Sequence, residues 1–297
     1  MNSFSISQLA QFSGIKPHTI RIWEQRYNAL TPQRSEGNTR YYDNTQLRRL
    51  LNIVSLMESD YKISELCAMP DKKLFGLLED MRENMSIDDP ADFFITQLIV
   101  AGVHYDEQHF EKIFSHCIIR YGFKNAYIKL LYPLLLRIGL MWAEDSLPPA
   151  QEHFISNIIK QKLFIAVDSL PPPLSSSETW LLFLPENEFH EIGLLFAHYL
   201  IRHSGRKSIY LGGNVPLDTL SDTIKDTKPD SLLLFFVRHN LPKKSQNYLD
   251  TINTIAPKNR IYLVGSQKLI GQLKTGRIHW LQTVDELERE LLPVLFK

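Results

Sequence analysis

The hydrophobic period changes across Pro171-Pro172-Pro173, and one kind of secondary-structure layer cannot serve both sides of that break. Before it, apolar residues recur at helical spacing in stretches 90–103, 106–121, 123–144 and 149–169, separated by turn signals at Gly102, Gly122 and Pro148-Pro149. After it, short apolar runs at 180–184, 208–211, 231–237 and 260–264 alternate with amphipathic segments, the signature of a parallel βαβ sheet. Consecutive prolines bar a continuing helix, and the serines 175–177 that follow read as an exposed connector. The expected fold is therefore multidomain, α followed by α/β, with a central four-helix bundle and a doubly wound, Rossmann-like (flavodoxin-like) C-terminal part. Ligands of such a sheet sit beyond the carboxyl ends of its strands.

A second break lies in the polar, acidic stretch 83–90, where Asp89 is placed to cap a helix that Pro90 opens. The expected division is 1–85, 86–172 and 173–297. With 44% hydrophobic and 11% aromatic residues, the chain has enough apolar material for several packed cores. Cys67 and Cys117 lack zinc spacing and are read as buried thiols, and no basic leader or apolar run of roughly 18 residues is present, so a cytosolic protein without a membrane partner is expected. The formal net charge is +0, yet Lys16, Arg21, Arg26, Arg34, Arg40, Arg48 and Arg49 face only Glu24, Glu36 and Asp43 in the same stretch. Affinity for nucleic acid has to come from that local excess.

That basic stretch has the organisation of a winged helix-turn-helix. Residues 5–12 form a short helix, Gly14 a turn, and Pro17 the first turn of a second helix reaching Tyr27. Ile20, Trp23 and Tyr27 face inward at i, i+3, i+7, which leaves His18, Thr19, Arg21, Ile22 and Gln25 on the other side. The Glu36-Gly37-Asn38 centre then suits a hairpin wing carrying Arg and Tyr donors to phosphates. Thr19-Ile20-Arg21, Trp23-Glu24-Gln25-Arg26, Arg40-Tyr41-Tyr42 and Tyr61-Lys62-Ile63-Ser64-Glu65-Leu66, in that order and spacing, closely resemble the MerR family of transcription regulators over the first 75 or so residues. The resemblance implies double-stranded operator DNA as partner, with Arg21, Arg40 and Tyr41 on the backbone and His18 and Thr19 near base edges. Phosphate contacts fix register without encoding sequence, so no operator follows.

In the sheet region, Glu188-Phe189-His190-Glu191-Ile192-Gly193 follows the first strand. A histidine at a helix start is disfavoured as imidazolium by the helix dipole, which keeps a lone pair for a metal. A carboxylate two residues earlier can hold the other ring nitrogen, and Gly193 lets a bulky group approach the backbone. This run resembles the Asp/Glu-x-His-x-x-Gly pattern of cobalamin-binding domains, supported by Leu211-Gly212-Gly213-Asn214-Val215-Pro216 and by Ser231-Leu232-Leu233, which resemble the loop and the Ser-x-Leu element around the nucleotide tail. By that resemblance His190 is the lower cobalt ligand, and Glu188, Gly193, Gly212, Val215, Ser231, Leu233 and Gly265 contact the corrinoid. The sequence departs from the pattern at Val264-Gly265-Ser266, where Gly-Gly is usual.

Trp142 and, after nine residues, Glu152-His153 match the Trp-x9-Glu-His motif of cobalamin-binding, light-responsive MerR regulators of the CarH and LitR type. The motif implies contacts above the upper face of adenosylcobalamin. Ala143 stands where the light-sensing type can carry a further histidine. The resemblance covers the whole chain and implies a repressor, acting as a dimer or tetramer, controlled by adenosylcobalamin and by light. Two alternatives stay open: a B12-independent regulator with a decayed corrinoid pocket or a protein antirepressor, and a corrinoid-dependent methyltransferase module, which the MerR segment opposes. No nucleophile elbow, phosphate loop or zinc signature occurs, so no enzyme is expected.

Overall fold

The computed structural model describes residues 4–34, 38–57, 61–84, 91–143, 148–174, 177–237 and 242–292. It divides into two compact units, Met1–Ile158 and Ile159–Lys297. The expected helix cap at Asp89-Pro90, the tip of the wing at 35–37 and part of the serine connector lie outside the described residues.

In the first unit, α1 (Ile6–Ser13) starts where the Ser5 hydroxyl accepts the Gln8 N–H at 3.3 Å while the Gln8 side chain accepts the Ser5 N–H at 2.7 Å. It ends at Gly14, whose φ of 72° is the left-handed conformation that turns the chain into α2 (Pro17–Tyr27). Strands β1 (Gln33–Arg34) and β2 (Arg40–Tyr41) pair antiparallel, with Gln33 opposite Tyr41 and Arg34 opposite Arg40. Helices α3 (Asn44–Ser55), α4 (Ile63–Ala68) and α5 (Asp71–Asn84) complete this part. Its core gathers Phe4, Leu9, Phe12, Ile20, Trp23, Leu47, Leu50 and Leu51.

The helical region follows as α6 (Ala91–Val103), α7 (Glu107–Ala126), a π-helical segment Tyr127–Leu131, α8 (Tyr132–Ala143) and α9 (Pro149–Asp168), whose residues from Ile159 on belong to the second unit. The break expected at Gly122 is a backbone kink inside α7, with φ 72° and ψ 158°. Helix α6 is buried from Phe93 to Val103, so it is the central helix of this region. A Cβ on Gly102 would lie 2.3 Å from Ile155 Cδ1, so any side chain there would force Ile155 of α9 to move. The helical region and the N-terminal helices share polar contacts: the Gln97 amide donates to Ser55 Oγ at 3.0 Å, and Arg137 donates to the Phe12 carbonyl at 3.0 Å. Burial lowers the Arg137 pKa from its ordinary value, and Asp92 opposes that shift.

The second unit is a five-stranded parallel sheet. Its elements are β3 (Thr179–Pro185), α10 (Ile192–His203), β4 (Lys207–Val215), α11 (Leu217–Thr227), β5 (Ser231–Phe236), α12 (Pro242–Ile255), β6 (Arg260–Gly265), α13 (Gln267–Ile270), β7 (His279–Leu281) and α14 (Val284–Leu291). Spatial order is β4-β3-β5-β6-β7, the flavodoxin-like arrangement, whose reversal of direction falls between β3 and β5. β7 was not among the expected strands; three residues are too short to show a period. The sheet's alternation is strict. Leu181, Phe183, Leu232, Leu234, Phe236, Ile261 and Leu263 pack with Leu220 and Ile224 of α11 and Leu249 and Ile252 of α12. Trp180, Leu182, Leu233, Phe235 and Tyr262 occupy the opposite face, where α10 and α14 lie, and Trp180 stacks on Tyr262 at 4.9 Å. Among the described residues no helix is long and apolar enough to cross a membrane.

Candidate functional site

In the N-terminal helix-turn-helix, α2 buries Ile20 and Trp23 and presents His18 and Arg21 as exposed side chains, with Thr19 half-buried between them. Tyr41 and Arg40 of the wing are half-buried. Arg40 is held from within: its Nε donates to Glu24 Oε1 at 3.0 Å, and Glu24 Oε2 accepts the Tyr42 hydroxyl at 2.7 Å. One carboxylate of α2 thus fixes two wing residues sixteen and eighteen positions away. Burial and the neighbouring Glu24 raise the Tyr42 pKa, which keeps it a hydrogen-bond donor.

The basic excess read from the sequence is only partly a surface. Arg49 is turned inward, where its Nε donates to the Ala29 carbonyl at 2.8 Å and its other nitrogens to the Met69 and Cys67 carbonyls at 3.0 and 2.6 Å. Its charge satisfies the ends of the surrounding segments. Hydrogen bonds from a charged donor are worth about 1.5–3 kcal/mol each, so this role is structural. Lys16, Arg21, Arg26, Arg34 and Arg48 are exposed.

At the carboxyl end of the sheet, the β3–α10 loop builds its geometry around Glu188, a carboxylate only 1% exposed. Glu188 Oε1 accepts the N–H groups of Phe189 at 3.0 Å and His190 at 3.1 Å and contacts His190 Nδ1. Its Oε2 accepts the Val237 N–H at 3.3 Å, which ties the loop to the end of β5. With Nδ1 donating to the carboxylate, the lone pair of His190 resides on Nε2, and the side chain is 47% exposed. The helix begins two residues later, at Ile192, so His190 stands in the loop before α10.

The end of β4 is stitched to this loop. A bulge at Leu211 shifts the β3–β4 register between Tyr210 and Gly212. Gly212 then takes φ 78°, Asn214 φ 56°, and Val215 pairs with Pro185. The Asn214 N–H donates to the Glu188 carbonyl at 2.9 Å, and the Gly213 N–H to Glu191 Oε1 at 2.9 Å. A Cβ on Gly213 would meet Glu191 Oε1 at 2.8 Å and the Glu188 carbonyl oxygen at 3.0 Å, so a side chain here would displace the Glu191 carboxylate from its bond to the Gly213 N–H. Glu191, which the sequence reading passed over, therefore joins two loops, with Lys160 of α9 at 3.9 Å from its other oxygen.

Glu188, His190, Gly193, Gly212, Val215 and Gly265 all lie at the carboxyl end. Gly265 closes β6, where a Cβ would meet the Phe236 carbonyl oxygen at 2.9 Å, and the exposed Ser266 beside it caps α13 by accepting the Leu269 N–H at 3.3 Å. Ser231 and Leu233 lie apart from this group. Ser231 is the first residue of β5, opposite Trp180 and Arg260, and Leu233 is opposite Leu182 in mid-strand. Both are fully buried below the carboxyl end. The residues of β5 that reach that end are Phe235 and Phe236, followed by Val237.

In the helical region, Glu152 and His153 occupy the first turn of α9 and pair with each other, His153 Nδ1 lying 2.9 Å from Glu152 Oε2, while Ser156 donates to Glu152 Oε1 at 2.5 Å. The His153 imidazole is exposed. Trp142 is in the last turn of α8, and its side chain is outside the described residues.

Comparison with known proteins matches residues 4–69 to the MerR HTH family regulatory protein model and residues 95–166 to the B12 binding domain model. The chain is 25% identical over 266 residues to the HTH-type transcriptional repressor CarH of Myxococcus xanthus, covering 89% of this chain and 88% of that protein. It is 28% identical over 261 residues to the HTH-type transcriptional repressor CarA of the same organism, covering 85% and 83%. The monomethylamine corrinoid protein of Methanosarcina barkeri shares the fold at a TM-score of 0.53 and 13% identity, over 65% of this chain and 94% of that one. The chain thus joins a MerR helix-turn-helix to a B12-binding domain and is homologous to the CarH and CarA transcriptional repressors over most of its length.

Proposed function

We propose that this protein is a DNA-binding transcription regulator, a repressor, whose hold on double-stranded operator DNA is set by a bound corrinoid, adenosylcobalamin. Residues 1–85 act as reader, 86–172 as cap and 173–297 as sensor. The single observation that carries the sensor assignment is the Glu188–His190 pair, a buried carboxylate holding Nδ1 of a half-exposed imidazole. This donor set fits ligation of cobalt: Nε2 would be the coordinating atom, and the carboxylate holds the ring in the tautomer that leaves it free. Phe189 at 59% exposure, Val237 at 46% and Leu211 at 36% give the same edge an apolar rim suited to a flat macrocycle. When bound, adenosylcobalamin supplies a cobalt–carbon bond that light can cleave.

The chain's own residues do the rest. His190 would hold the ligand, Glu191 and the Gly212-Gly213 turn hold the adjoining loop, and by the likeness of their spacing to the Trp-x9-Glu-His motif Trp142, Glu152 and His153 would contact the corrinoid. Exposed Arg21 and the braced wing meet DNA phosphates, and an oligomer, dimer or tetramer, presents paired readers. Ligand control requires that the corrinoid bind the DNA-holding and DNA-releasing states with different affinity. Light control is supported by the likeness of the Trp142, Glu152 and His153 spacing to the light-responsive type.

The test is the visible spectrum of the purified protein mixed with adenosylcobalamin in darkness, desalted, then illuminated with green light, beside His190→Ala. Retained corrinoid whose spectrum changes in light and is altered in the variant is expected. Loss of all corrinoid on desalting overturns the sensor assignment, and a retained but light-inert spectrum overturns light control alone.

A further inference from the structure

We infer that the ring of Phe235 closes the crevice through which the lower nucleotide tail of a corrinoid would enter the sheet, so that the ligand is held by its corrin ring and upper face with the tail outside. This inference rests on the corrinoid reading of the His190 site. When a protein imidazole takes the lower axial position, the nucleotide base of cobalamin no longer occupies it and the tail must lie elsewhere. The position open to it is the crevice between β3 and β5, where the strand order reverses beside the His190 loop.

That crevice is filled. Gly193 stands in the first turn of α10, and the space its missing Cβ leaves is met by Phe235 Cε1 at 3.0 Å and Cδ1 at 3.4 Å. The glycine therefore accommodates a side chain of β5. Phe235 is 9% exposed, and along the same face of the strand Leu233 and Ser231 are fully buried beneath it. Trp180, opposite Ser231 and stacked on Tyr262, fills the amino end of this layer. Trp180 Nε1 and Ser231 Oγ are buried there without a hydrogen-bond partner, at the end of the layer away from the carboxyl edge that Phe235 covers. A tail could reach them only by displacing the ring.

The experiment is equilibrium dialysis of the full chain in darkness against adenosylcobalamin and against adenosylcobinamide, which lacks the nucleotide, for the natural protein, Phe235→Ala and Phe235→Leu. The natural protein is expected to hold adenosylcobinamide at least as tightly as adenosylcobalamin. Removing the ring in Phe235→Ala is expected to shift the ratio at least tenfold in favour of adenosylcobalamin, with a smaller shift in the same direction for Phe235→Leu. Retained cobinamide binding reports that each variant is folded, and the leucine variant decides if the alanine one is not. Natural protein that binds adenosylcobalamin tenfold more tightly than adenosylcobinamide, or a ratio that stays constant in the variants that bind, overturns the inference and leaves the corrinoid site standing. Failure of the natural protein to bind either corrinoid overturns the corrinoid reading itself.

Discussion

Glu24 in the reader and Glu188 in the sheet unit each organise a functional surface, but over different distances along the chain. Glu188 gathers its own loop, the N–H groups of Phe189 and His190 and the His190 ring, and its carboxylate also accepts the remote Val237 N–H. Glu24 gathers Arg40 and Tyr42, which lie across a hairpin. A local carboxylate can preset one ligand atom before anything binds, because the contacts that orient the His190 ring sit within two residues. A remote one fixes the angle between a helix and a wing, and its loss moves a whole surface.

The largest expected effect is in the local cluster. Glu188→Ala leaves His190 without its Nδ1 partner and three backbone donors without an acceptor; corrinoid affinity should fall about 10- to 100-fold by dialysis. Unchanged affinity would break the claim that Glu188 prepares the ligand. In the remote cluster, Glu24→Ala should weaken binding to any DNA about tenfold and cost about 1–3 kcal/mol in urea unfolding, since Arg40 and Tyr42 lose their partner. A variant with lost stability and undiminished DNA binding would show that the wing needs no brace. Smaller still, Arg21→Ala should weaken binding about equally for all sequences and reduce the salt slope by about 1, as loss of one phosphate contact does. A sequence-dependent loss would instead make Arg21 a base reader.

The smallest effect separates the His190 loop from the body of its own unit. Burial, and then Arg202, lower the His198 pKa to about 4, and Ser208 Oγ lies 2.8 Å from its Nδ1. Unfolded, this histidine protonates near its ordinary value of about 6.5. The unfolded chain therefore binds the proton first: stability is unaffected above about pH 6.5, declines below it, and the loss is complete near pH 4. The loss is on the order of 1 kcal/mol once partial exposure is discounted. Urea midpoints at pH 7 and pH 4.5 should differ less in His198→Asn than in the natural protein, and equal differences would remove His198 from the acid response.

The same contrast of distance explains what was legible in the sequence. The helix-turn-helix, the wing and the Glu188-to-Gly193 run are local patterns in which spacing along the chain is spacing in space. The change of period at the three prolines also carried the order of helices and strands. Spacing could not show that Arg49 turns inward to cap three carbonyls, or that Arg40 reaches Glu24, because each depends on where distant segments cross. It could not give the depth of Ser231 and Leu233 for a related reason: a motif of this kind gives residue types, whereas the level of a residue in a strand is set by where pairing begins, here opposite Trp180. Glu191 was hidden because its role needs the bulge at Leu211 to bring Gly213 to it.

The central claim is that one chain couples corrinoid at His190 to DNA at α2 and the wing. Its most direct test is the affinity of the full chain for a DNA fragment it has selected from a random pool, measured in darkness with and without adenosylcobalamin, beside His190→Ala. The account predicts at least a fivefold change on adding the corrinoid, absent in the variant, and by reciprocity the same factor in corrinoid affinity when the DNA is added. DNA affinity that is identical with and without bound corrinoid would contradict it.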